Sequence, residues 1–212
     1  MELLTHYFSV KLGAEFRNAL PILRSKIGIT PFERVGSTYG VGANTFRALT
    51  NLRRKPSTVY RSWASGIFVN LDVQVLERQL ETEEGFRVWH TSLANSLQDT
   101  WQQEQYASLS FAHQHKLVDL FVKWLSSLDF NCSALSDNLV AHANCALDSQ
   151  SLGKLNECLS MALPLSKPSM GDVHSSYTYS FCQSLIDRFS THHGGSRLLF
   201  DYFAWRSGGS GG

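Results

Sequence analysis

Along most of the chain, apolar side chains recur every three or four positions, the spacing of one face of an α-helix. Phe46, Leu49 and Leu52 form one such stripe, behind a cap at Asn44 or Thr45. Pro56-Ser57 stops that helix and opens the next, in which Val59, Trp63 and Ile67 fall on one side. A short helix follows over 73–80. Thr82, with Glu83 and Glu84 behind it, starts a long helix carrying Phe86, Trp89, Leu93, Leu97 and Trp101, because acids favour the exposed N–H groups of a first turn. The clearest helix covers 110–128. Leu109, His113, Leu117, Phe121, Trp124 and Leu128 share its apolar face, and Asp119 and Lys123 form an acid-before-base pair one turn apart. Beyond it, Ser136 or Asp137 caps a helix with Leu139 and Ala143. Asp148 or Ser149 caps another, with Leu152, Leu155 and Leu159, which Pro164 ends. A further helix carries Thr178, Phe181, Leu185 and Phe189 up to Gly194-Gly195. The last segment, 197–205, is almost wholly apolar and aromatic, which predicts burial against the bundle or in an oligomer interface.

The first forty residues are less regular. Residues 7–12 have the composition of a short strand. Phe16, Leu20, Leu23 and Ile27 predict a helix over 14–27 that breaks near Pro21, since a mid-helix proline lacks a donor and crowds the preceding turn. The glycines of 36–42 mark a loop or tight hairpin. The expected fold is therefore mainly α, a bundle of seven to nine helices with a small, mixed, basic N-terminal segment. Residues 1–61 form that segment, 62–206 the helical body, and 207–212 a flexible Gly/Ser linker or cloning scar. No fixed period recurs, which excludes a solenoid.

Composition adds limits. Of 212 residues, 43% are hydrophobic and 12% aromatic, enough to build a core and too many for a disordered chain. No apolar run approaches the roughly 18 residues of a membrane span, and the first residues lack the charged and apolar regions of a signal peptide. The four cysteines, Cys132, Cys145, Cys158 and Cys182, include no closely spaced pair of the kind zinc sites use. They read as reduced thiols, and with the rest they predict a soluble, cytoplasmic protein that needs no cofactor or metal.

Charge changes the picture more. The net charge is +1, which by itself argues against a phosphate-binding role. By position it divides. Residues 1–61 hold ten basic and three acidic side chains, and the remainder holds nine and fifteen. Arg53-Arg54-Lys55, with Arg34, Arg47 and Arg61 around it, is the densest part. These six are the candidate nucleic-acid-binding residues, because guanidinium forks match phosphate oxygens and their binding releases counterions. Two other readings compete. The cluster would also compensate the C-terminal dipole of a helix over 44–52, or it would meet an acidic protein surface. Gly40-Val41-Gly42 lacks the third glycine of a dinucleotide fingerprint, Thr45 standing there, and reads as a turn.

Catalytic signals are sparse. His113 and His115, two apart on a helix, point to opposite sides and cannot share an ion. His113 is placed in the core and His115 in solvent. Arg188 and His193 are separated by four residues, a spacing that resembles the Arg-x4-6-His motif of HEPN-type ribonucleases over six positions. The resemblance implies a helical, often dimeric domain in which the Arg and His act on an RNA backbone, the His as acid or base and the Arg on developing phosphorane charge. Phe189 departs from the polar residue usual after that Arg. The leading expectation is a non-enzymatic protein that binds a DNA or RNA backbone. An assembly subunit, or homo-oligomer, using the aromatic C-terminal segment comes second, and the HEPN-like ribonuclease third.

Overall fold

The computed structural model describes residues 2–31, 36–50, 52–164 and 167–206. Among the residues singled out above, Arg34 and the Gly/Ser stretch 207–212 lie outside the described residues. The described chain forms nine α-helices: α1 Val10–Arg24, α2 Pro56–Val69, α3 Val73–Gln79, α4 Glu83–Gln105, α5 Phe111–Ser126, α6 Ser133–His142, α7 Ser149–Cys158, α8 Ser176–His192 and α9 Arg197–Arg206. Two two-residue strands, β1 Thr30–Pro31 and β2 Leu128–Asp129, pair in parallel with Thr30 opposite Leu128. The protein is the mainly α bundle its hydrophobic period predicts.

Side chains that cap the backbone set most boundaries. Thr82, Ser110, Asp148 and Ser175 each accept from N–H groups of the following first turn, which the helix itself leaves unbonded. Pro56 opens α2 at a position where a missing donor costs nothing.

Three local expectations are corrected. Residues 7–12 are not a strand: Ser9 Oγ accepts from Leu12 N at 3.3 Å, so Val10 already lies in the first turn of α1. Pro21 does not break α1. It lies exposed in the last turn, while Phe16, Ala19 and Leu23 are buried on the opposite side and anchor the helix against α9. Over 44–52 the described residues hold only a 3-10 turn, Ala43–Phe46. Phe46, Leu49 and Leu52 still pack on the core, so burial is met without a helix. The backbone beyond them is tied instead by the Gln105 side chain, which accepts from Arg54 N at 2.9 Å and donates to Arg54 O at 2.7 Å.

The buried apolar side chains form two cores. The first gathers α2, α3, α4, α5 and α6; the second gathers α1, α7, α8 and α9, with Val140 and Tyr202 packed against both. The aromatic last segment is α9, and it is buried within the chain itself, against α1, α6, α7 and α8. Only its end emerges, with Trp205 48% exposed. Each core leaves polar side chains of α5 at its margin, and two clefts open there.

Candidate functional site

Helix α5 presents Lys116, Leu120, Lys123 and Trp124 along one face, at steps of four, three and one, with Ser127 just past its end. The loop through Gly40 covers one side of that face. Gly40 has φ +83°, and a Cβ there would stand 2.3 Å from the Leu120 carbonyl oxygen, so only glycine lets the loop close on the helix. Tyr202 and Trp205 of α9 form the other side. The result is a cleft of about 500 Å³, with Asn44 and Thr45 at its edge.

Both lysines of this cleft are held by carboxylates. Asp148 Oδ1 caps α7 by accepting from Gln150 N (2.9 Å) and Ser151 N (3.0 Å), and its Oδ2 lies 3.2 Å from Lys116 Nζ. Lys123 Nζ donates to Asp201 Oδ1, and Asp201 Oδ2 accepts from Ala146 N at 2.7 Å. Burial opposes the charge on Lys123, but the charge and hydrogen bond of Asp201 more than offset it and hold the amine above its ordinary pKa. The segment carrying Asp148 is thus fixed from α9 by Asp201. From α8 it is fixed by Gln183, which accepts from Cys145 N (3.1 Å) and donates to Cys145 O (2.7 Å). The expected Asp119–Lys123 pair does not form. Each residue turns to a partner across the fold, Lys123 to Asp201 and Asp119 to α4 and α8.

The second cleft, of about 900 Å³, lies between α4, α5 and α8. Asp119 is its buried anchor. The Tyr179 hydroxyl donates to it, 2.9 Å from both oxygens, and His90 Nε2 stands 2.7 Å from Oδ1. His115, expected in solvent, stacks on Phe111 at 4.1 Å and packs on Tyr179 at 4.7 Å. Burial pushes its pKa down to about 4; the charge of Asp119 works against that shift and His90 adds to it. His113 is only half-buried. Its Nδ1 lies 2.7 Å from Ser110 Oγ at the cap of its own helix, and burial, then Lys116, lowers its pKa. Among the described residues no three His, Cys, Asp or Glu side chains come together to hold a metal. All four cysteines are free thiols, and burial pushes Cys158 up to about 12 and Cys182 to about 11.

The basic cluster spreads over the surface rather than lining either cleft. Arg53 lies over the Tyr106 ring, 4.5 Å from its centroid, and Arg54 pairs with Glu104 at 2.8 Å. Arg54 therefore compensates the C-terminus of α4, not that of a helix over 44–52. Lys55 stands instead at the N-cap of α2, where a cation gains nothing from the dipole. Among the described residues Arg47, Lys55 and Arg61 are exposed and form no ion pair. Arg188 and His193 are not brought to one face. Arg188 is exposed, whereas His193 is buried against Gly13 of α1, its Nδ1 accepting from Arg17 at 2.7 Å. Burial, then the charges of His192 and Arg17, keeps the His193 imidazole below its ordinary pKa.

The cleft residues Lys116, Lys123, Tyr202 and Trp205, and the buried His90 and Asp201, carry no motif. Two lysines seven apart on one helix were the one readable sign. No family model, curated protein or solved structure matches the chain. No described helix is long and apolar enough to cross a membrane.

Proposed function

We propose that the chain is a nucleic-acid-associated protein that holds a DNA or RNA backbone on its basic N-terminal surface and takes a base into the cleft between the Gly40 loop, α5 and α9. The observation that carries this reading is the make-up of that cleft. Aromatic rings from two helices, Trp124, Tyr202 and Trp205, line it. Rings offer every base a stacking surface, and the charge for the phosphates comes from the exposed basic side chains of the N-terminal segment. Arg47, Lys55 and Arg61 are exposed and form no ion pair among the described residues, which leaves them open to phosphates. Fluorescence anisotropy with a labelled single-stranded oligonucleotide and a duplex tests this. Reversing Arg47, Lys55 and Arg61 to glutamate is expected to weaken binding at least about tenfold at ~100 mM salt and to flatten its salt dependence. Among the described residues these three make no ion pair, so an unchanged affinity, or no binding by the native chain at low salt, overturns the reading.

A further inference from the structure

Two cations lie over one aromatic ring that lines the first cleft, and a third follows that ring on the same helix. Lys26 Nζ lies 5.2 Å from the Tyr202 centroid and Lys123 Nζ lies 4.4 Å from the same centroid. Arg206 ends α9 four residues after Tyr202, so it stands one turn further along the same face. Of the carboxylates, Asp201 answers Lys123. Among the described residues Lys26 and Arg206 form no ion pair. Helix dipoles account for each cation singly, since α1 ends just before Lys26 and α9 ends at Arg206. They do not account for the gathering of both beside Lys123. Burial, then the repulsion of Lys123 and Arg206, already lowers the pKa of Lys26. An anion placed between Lys26 and Arg206 relieves that repulsion, and the guanidinium of Arg206 can fork onto two of its oxygens.

We infer that Lys26 and Arg206, beside Tyr202 and the Lys123–Asp201 pair, form a phosphate subsite at the edge of the cleft. Its ligand is a tetrahedral phosphate oxyanion, either the phosphodiester next to the base in the cleft or free phosphate. The first source rests on the nucleic-acid reading; the second does not. Tyr202 and Lys123 also line the cleft, so the phosphate lies adjacent to the ring-walled space, as it does in a nucleotide. Lys26 supplies the charge from the N-terminal side, which joins the basic segment to α9.

The test uses the full chain with Lys26→Gln, Arg206→Gln and the double variant. Both positions are near the surface, and circular dichroism confirms folding before use. Oligonucleotide affinity at ~100 mM salt is expected to fall about fivefold per substitution, and the slope of log affinity against log salt to become shallower by about one each. Inorganic phosphate, titrated at constant ionic strength, is expected to raise the unfolding midpoint of the native chain and not that of the double variant. Oligonucleotide binding with unchanged affinity and slope in both variants overturns the subsite and leaves the nucleic-acid reading standing. Phosphate protection that the variants lose, with no oligonucleotide bound by the native chain, supports the subsite for free phosphate and overturns that reading. Absence of both effects overturns both.

Discussion

Replacing Asp201 by alanine is expected to cost about 4 kcal/mol of folding stability, because it leaves the buried Lys123 ammonium with no counter-charge. Asp201 is fully buried and serves two partners, Lys123 through one oxygen and Ala146 N through the other. The alanine variant strands both. A loss of that size is a large part of the roughly 5–15 kcal/mol that holds a domain together, and in a chain of this length it lowers the thermal midpoint by about 10 °C. Urea unfolding checks it. The origin of the effect is separable: adding Lys123→Met to Asp201→Ala removes the stranded charge, so the double variant is expected to be more stable than Asp201→Ala alone. A single variant within about 1 kcal/mol of the native chain, or a double variant less stable than it, contradicts this account.

The second large effect is at Asp119. Its removal as Asp119→Ala leaves the Tyr179 hydroxyl and the His90 ring nitrogen facing a void, each a buried polar group deprived of its partner. At about 1–3 kcal/mol for each orphaned group, plus the space vacated, the expected loss is about 4 kcal/mol. Tyr179→Phe removes only one donor and keeps the His90–Asp119 contact, so about 1 kcal/mol is expected. The ordering is the test. Denaturant midpoints that place Tyr179→Phe at or below Asp119→Ala mean that the carboxylate is not what joins α4, α5 and α8.

Much of the helix pattern was legible because a bundle rewards one rule. Thr82, Ser110 and Asp148 are capping residues ahead of a 3.6-residue apolar stripe, and the backbone starts its helices there. The rule fails where burial is met by other means. Phe46, Leu49 and Leu52 have helical spacing, yet the Gln105 amide satisfies the backbone beyond them. Phe16 and Leu23 hold α1 together through a proline that local chemistry alone would treat as a break. The site was less legible. Basic residues close together in sequence read as one patch, but Arg54 belongs to the end of α4 while Lys55 begins α2. Lys116 and Asp148, or Lys123 and Asp201, meet only when α5, α7 and α9 have packed. His115 drew an expectation of solvent because the apolar face of α5 was counted from one partner, whereas α8 approaches from the other side and brings Tyr179 over it.

The two cores differ in how the chain reaches them. The first is drawn almost wholly from residues 41–143, a continuous stretch. The second joins α1 to α7, α8 and α9, and the Arg17–His193 hydrogen bond within it spans 176 positions. Closing so long a loop is entropically costly and slow relative to local helix contacts. Contacts among α2 to α6 are the more local ones, and the docking of α1 on α9 is the longest closure in the fold. The lysine cleft, walled by one helix from each core, exists only where both closures are made.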